Sequence, residues 1–153
     1  MRLARLLAVC SLAAVSTVAL VGSADARSGR QSTHAMASQI NKVRAQHGLR
    51  PLRLSGSLTR SSRRFSHKLM ARDRFGHASR IRASAAFHGL GEALAFHAGR
   101  RDAVSSTVRQ WLHSPFHRAI VLHRSMRWLG TGVTHGRFGR SRATIWVLQV
   151  GRK

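Results

Sequence analysis

Tyrosine is absent from this chain of 153 residues, cysteine occurs once, proline twice, and Asp and Glu together number only four. The lone cysteine, Cys10, stands inside an N-terminal apolar run, so the rest of the chain has no thiol for a disulfide, a zinc thiolate set or a nucleophile. Beyond residue 26 the acids are Asp73, Glu92 and Asp102 alone. Two-carboxylate glycoside hydrolysis, two-metal nuclease chemistry and calcium loops all need a richer carboxylate supply and are set aside. No Gly-x-Ser-x-Gly elbow occurs, and a Ser-His-acid triad would have only Glu92 to orient its base. Large apolar residues are sparse as well. Leu, Ile, Val and Phe supply 28 of residues 27–153, about 22%, just above the range in which a highly charged chain stays disordered. The length suits one small domain with a thin core.

What is present begins with an export signal. Arg2 and Arg5 precede an apolar run from Leu6 to Val21, and Ala24-Asp25-Ala26 closes it with a small-x-small site. A retained anchor would carry Lys or Arg at its far end, and a lipoprotein reading on Cys10 meets Val9 where a small residue is wanted. Residues 1–26 are therefore expected to be a signal peptide, and the protein is expected to be secreted, to begin at Arg27 and to have no membrane span after cleavage.

The second conspicuous feature is charge. Lys and Arg total 27, for a formal net charge of +23, and 24 of them are Arg. Loss of residues 1–26 leaves 25 basic and three acidic residues, or +22. A field of that size attracts polyanions, and outside a cell those are acidic wall polymers, anionic lipid headgroups or DNA. No zinc finger, basic heptad helix or aromatic stacking platform accompanies it, so sequence-specific nucleic-acid recognition is not expected.

After a polar lead-in over 27–33, the domain proper is expected to occupy 34–153. Met36, Ile40, Val43 and His47 recur at helical spacing, with Ser32 or Thr33 as a cap and Gly48 and Pro51 as the stop, which predicts a helix over 34–47. A second helix is expected over 57–73. There Leu58, Phe65 and Leu69 share one arc, and Arg60, Arg63, Arg64, His67 and Lys68 hold the opposite one. Residues 74–100 show no clean period and read as an irregular connection with a short strand near 90–96. Asp102 is a candidate cap for a helix over 103–113, and Ser114-Pro115 opens another over 115–122. Strands over 128–135 and 143–150 are joined by a turn at 136–140. The second is apolar on both faces, as a central strand should be, with Thr144, Trp146, Leu148 and Val150 on one side and Ile145, Val147 and Gln149 on the other. The order of elements indicates an α+β fold.

Among ten histidines and few acids, His77, Glu92 and His117 stand out by their settings, Phe75-Gly76-His77, Gly91-Glu92 and Ser114-Pro115-Phe116-His117-Arg118. With Ile40-Asn41-Lys42-Val43-Arg44, Gly48-Leu49, Pro51-Leu52, Trp111, Gly130-Thr131-Gly132-Val133, Trp146 and Gln149, these segments run in order from Ser38 to Gly151. In that order and spacing the chain resembles the bacterial secreted branch of the CAP superfamily, the cysteine-rich secretory protein, antigen 5 and pathogenesis-related 1 group. The resemblance implies a three-layer α-β-α sandwich with a small antiparallel sheet ending in a C-terminal hairpin. It also implies a cavity that gathers histidines and glutamate, here His77, Glu92 and His117. Two imidazoles and one carboxylate are a competent set for zinc or a similar divalent ion, and equally for a buried hydrogen-bonded cluster. The family's Gly-Glu-Asn reads Gly91-Glu92-Ala93 here, and its second glutamate has no counterpart except Asp102. His113 and the histidines at 34, 47, 67, 88, 97, 123 and 135 lack ligand spacing with an acid and are expected at the surface.

The expected function is binding at the cell envelope or outside the cell, with a lipid-like or anionic ligand and no evident catalysis. Two alternatives are a metal-dependent hydrolase using His77, Glu92 and His117, and a general polyanion binder. In the last, Arg60, Arg63, Arg64 and Lys68 would be the contact residues.

Overall fold

In a computed structural model the chain is described over residues 18–99 and 103–153, with side chains from Ser28 onward. The elements run α1 (Val18–Gln46), β1 (Arg53–Leu54), α2 (Gly56–Ala71), β2 (Gly89–Ala98), α3 (Val104–His113), α4 (Pro115–Val121), β3 (Trp128–Phe138) and β4 (Ser141–Arg152). The strands form one sheet in the order β1-β3-β4-β2. Its pairs are antiparallel except β1 with β3, which is parallel and confined to Arg53 and Leu54.

The sheet is sandwiched because β4 is central and apolar on both faces. On one face Trp146, Leu148 and Val150 join Met36, Ile40 and Val43 of α1 and Val108 and Trp111 of α3 in the larger core. On the other, Ile145 and Val147 join Leu69 and Met70 of α2 and Leu94 of β2 in a smaller one. This is the expected three-layer α+β arrangement, with β4 in its expected central place. The strand expected near 90–96 runs the full ten residues of β2 and forms one edge of the sheet.

Three boundaries differ from expectation. Residues 27–33 are helical rather than a lead-in. Thr33 is no cap, since its hydroxyl donates to Gly29 O at 2.9 Å, a backward bond that Ser and Thr make inside helices. The expected signal over 1–26 lies outside the described residues up to residue 17. Asp102, expected to cap α3, also lies outside them, and the N-cap position is Ala103, with no side-chain bond. The turn expected over 136–140 shrinks to Gly139-Arg140, because Phe138 already pairs with Ser141 and Gly139 takes φ +57°. Its tip is tied to the end of α2, where Asp73 Oδ1 accepts from Gly139 N at 2.7 Å.

Two glycines set the distance between α2 and the sheet. A Cβ on Gly130 would lie 2.1 Å from Thr59 N, and one on Gly132 would lie 2.5 Å from Arg63 N. Both obstacles are backbone and cannot rotate away, so only glycine lets the helix sit this close. The contact face of α2 is correspondingly small and polar: Ser61, Ser62 and Ser66 are buried beside Leu58 and Leu69. Ser62 Oγ donates to Gly130 O at 3.1 Å, and Ser66 shares a 2.8 Å bond with Thr134.

Candidate functional site

The cluster sits where β2 meets the end of β4. Strand alternation sends Ala93 and Ala95 into the larger core and turns Glu92 to the α2 face, where the register sets it opposite Gln149. Glu92 is buried and accepts three bonds: from Gln149 Nε2 at 2.9 Å on Oε2, and from Ala78 N at 2.9 Å and His77 Nδ1 at 3.2 Å on Oε1. An ionised carboxylate can only accept, so the proton of neutral His77 is on Nδ1 and its Nε2 is left as the basic nitrogen. The His77 side chain is 46% exposed.

His117 comes from the opposite layer. Ser114 breaks the chain between α3 and α4 with extended dihedrals, and Pro115 opens α4, which carries His117 to within 5.8 Å of the His77 ring, centroid to centroid. Phe116, 65% exposed, meets both imidazoles in T-shaped contacts, with ring centroids 5.9 Å from His77 and 5.8 Å from His117. His117 Nε2 is buried without a hydrogen-bond partner. Burial, and then the neighbouring His77, lower its pKa below the ordinary histidine value, so it is held neutral.

The structure thus brings His77 and Glu92 into direct contact and His117 beside them. Both Glu92 oxygens are taken by protein donors, and among the described residues no group of three His, Cys, Asp or Glu side chains is placed to hold a metal ion. His77 and Glu92 form a hydrogen-bonded pair with the His117 ring packed beside it, and the three do not fit a three-ligand zinc site. What they offer chemically is a carboxylate-oriented imidazole at the surface beside an exposed phenyl ring.

Next to His77 opens a cleft of about 450 Å³ with Phe65 and Gln149 in its lining. Its charged lining is wholly cationic, from Arg64, Lys68, Arg72, Arg74, Arg80 and Arg82. Gln149 Oε1, left over once its amide has bonded Glu92, has no partner. The exposed basic arc of α2 is divided by the fold. Arg64 and Lys68 line this cleft, Arg63 lines another on the opposite flank of the helix, and Arg60 lines neither.

Several residues play parts that their sequence setting hid. Gln149 fastens Glu92. Its signal was a polar side chain in the middle of a central apolar strand. Arg44 is fully buried and donates to three carbonyls, those of Arg50, Val121 and His123, at 3.0, 2.7 and 3.2 Å. It follows Ile40 by one helical turn, on the core face. His97 and His135, expected at the surface, are half-buried and bonded to Thr107 and Thr144 at 2.8 and 2.9 Å, because helix α3 and the neighbouring strand cover them. His113 and the histidines at 34, 47, 67, 88 and 123 are exposed.

An α-β-α sandwich with a His-Glu-His cluster at the edge strand defines the class of protein. Residues 37–150 match the model of the cysteine-rich secretory protein family, CAP. The chain belongs to that family. No individually curated protein matches it by sequence. Among solved structures it is similar to an outer surface protein of Borrelia burgdorferi, with TM-score 0.65 and 18% identity over 80% of this chain and 93% of that one. It is also similar to an extracellular SCP-domain protein of Bacillus anthracis, with TM-score 0.65 and 18% identity, covering 82% of this chain and 41% of that one. A cysteine-rich secretory protein of Staphylococcus aureus gives TM-score 0.58 and 14% identity, covering 82% and 39%. The chain therefore spans about two fifths of the length of the latter two. At these identities the likeness is one of fold. No helix among the described residues is long and apolar enough to cross a membrane.

Proposed function

We propose that this chain is exported and acts at the cell envelope or beyond it by binding an anionic, hydroxyl-bearing component of that environment, with the cleft beside His77 as its site. The observation that carries the reading is the cleft's lining: six cationic side chains, no carboxylate, and an unpaired amide oxygen on Gln149. Guanidinium groups in such number suit phosphate or carboxylate oxygens, the free Gln149 oxygen suits a hydroxyl donor, and Phe65 in the lining offers apolar surface. Binding is favoured over turnover because the one carboxylate of the cluster is committed to three protein donors. The extracellular and outer-surface descriptions of the similar proteins agree with a place outside the cell. So does the signal-like segment at residues 1–26.

Random-sequence duplex DNA serves as a phosphodiester probe. Affinity should be equal for unrelated sequences and fall steeply with salt, since each neutralised phosphate releases counterions at a log-log slope of about 0.9. Replacing Arg64, Lys68, Arg80 and Arg82 together by Gln should flatten that slope by about three to four. Affinity indifferent to ionic strength, or a slope unchanged in the variant, would refute the site. Export is checked by the intact mass of secreted material, expected to begin at Arg27.

A further inference from the structure

A second cleft, of about 540 Å³, lies on the opposite flank of α2, between residues 28–32 of α1, the helix itself and the β3-β4 hairpin. Arg63 and His67, one helical turn apart, line it from α2, and His135, Arg137 and Arg142 line it from the hairpin. No carboxylate is in its lining. The acid tied to the hairpin, Asp73, is engaged at the turn by the Gly139 amide.

Two features of the hairpin make this more than a solvated basic surface. Arg137 and Arg142 are direct cross-strand partners, an arrangement in which two like charges oppose each other and weaken the pairing. The fold retains this unfavourable pair at the mouth of a cavity, where an anion between the guanidinium groups would convert repulsion into attraction. Second, β1 covers the outer edge of β3 only at Trp128 and Leu129. Among the described residues the edge from Gly130 to Phe138 has no strand partner, and the cleft lies along it. Arg63 there is anchored through Gly132, which seats its backbone on the strand. His135 is oriented by its 2.9 Å bond to Thr144, and Arg137 by a 3.3 Å bond to Arg140 O.

We propose that this cleft binds a phosphate-class oxyanion of small size, separately from the cleft beside His77. Cations approach from two sides, Arg63 and His67 from the helix and Arg137 and Arg142 from the hairpin. A ligand with two linked phosphate groups is therefore the best match, and the volume suits a molecule of nucleotide or sugar-phosphate size. The phosphate chemistry can come from a soluble molecule or from a lipid headgroup.

The test is titration of the purified protein with inorganic pyrophosphate, and in parallel with phosphatidylglycerol vesicles, for the wild type, R137Q/R142Q, R63Q, R80Q/R82Q from the other cleft, and a control R109Q/R124Q whose exposed side chains line neither cleft. Saturable pyrophosphate binding weakened about tenfold or more in R137Q/R142Q and in R63Q, and unchanged in R109Q/R124Q, assigns the site to a free ligand. The same pattern seen with vesicles alone assigns it to a headgroup. Equal binding in all five proteins for both probes, or loss only in R80Q/R82Q, overturns the proposal. Folding is controlled by melting: without anion R137Q/R142Q should melt no lower than the wild type, since a like-charge pair has been removed, and pyrophosphate should raise the melting temperature of the wild type but not of the variant. An edge-protecting role alone predicts self-association of R137Q/R142Q with pyrophosphate affinity intact, which also overturns the proposal.

Discussion

The two faces of the sheet are built on different terms. Beneath α1, α3 and α4, fifteen buried apolar residues form the larger core, including Trp111, Trp146, Met36 and Ile40. Beneath α2 the cluster among the described residues has six, with Leu58 buried apart from it, and the contact is completed by serines, a threonine and glycines. The helix α2 contributes to the cationic lining of both clefts, with Arg63 and His67 on one flank and Arg64 and Lys68 on the other. A chain with few large apolar residues cannot pack both faces to the same depth. It concentrates them on one and uses close backbone approach on the other, which leaves the surface of α2 free for charge. The large-core face should therefore govern stability, and the α2 face should govern binding.

The sharpest way to break that division is at Trp111. Its side chain is fully buried, and its Nε1 donates to Leu94 O at 2.9 Å. Trp111→Ala should cost about 3–5 kcal/mol, enough to consume much of the stability of a domain this size. Urea unfolding measures it. The fraction that remains folded should keep the wild-type affinity for the DNA probe, and a parallel loss of affinity would show that the faces are not separate.

A smaller effect is expected from the other face, with both properties moving together. Gly132→Ala places a methyl carbon 2.5 Å from Arg63 N, and the helix has to lift to accommodate it, at about 1–3 kcal/mol. Because α2 carries walls of both clefts, binding of DNA and of pyrophosphate should fall as well. Gly136→Ala is the matched control. Its new atom would meet only the flexible Met70 side chain, at 3.0 Å, and should change stability by about 0.5 kcal/mol or less. If the two variants behave alike, close backbone approach is not what fixes α2.

These contrasts also explain what the chain displayed before folding and what it concealed. The alternation of β4 and the apolar arc of α2 are local patterns, and they placed the central strand and that helix correctly. The depth of burial of Arg44 is not local. It depends on the carbonyls of Val121 and His123, 77 and 79 residues away, and a count of basic residues sees only one more solvated charge. Similarly, β1 is two residues long, its partner lies at Trp128 and Leu129, and nothing in Arg53-Leu54 marks it as a strand. In the cluster, His77, Glu92 and His117 were legible through the segments that carry the family resemblance. The Gln149 bond to Glu92 was hidden because it exists only in the β2-β4 register. The serine-lined interface of α2 was hidden for a related reason: Ser62 and Ser66 read as polar until Gly130 and Thr134 are beside them.

The smallest expected effect lies where the two layers meet, at His117, which α4 brings to the cluster on the α2 face. Its folded pKa is lowered first by burial and then by His77, while in the unfolded chain it titrates near 6.5. As pH falls below about 6.5, the unfolded chain takes up a proton that the folded one resists, so the unfolded state binds more protons and stability declines. The decline continues down to the lowered folded value and then ceases, because both states are protonated below it. Above about 6.5 both are neutral and this group contributes no slope. His117→Gln removes the titration and should flatten the acid limb in that window, whatever it does to absolute stability. His77→Gln removes only the second cause and should flatten it less. The measurement is unfolding free energy from urea curves between pH 5 and 8 for the three proteins, read as differences so that the remaining histidines cancel. Parallel curves for wild type and His117→Gln would mean that His117 is solvated in the folded state and that the cluster is open to water on the α4 side.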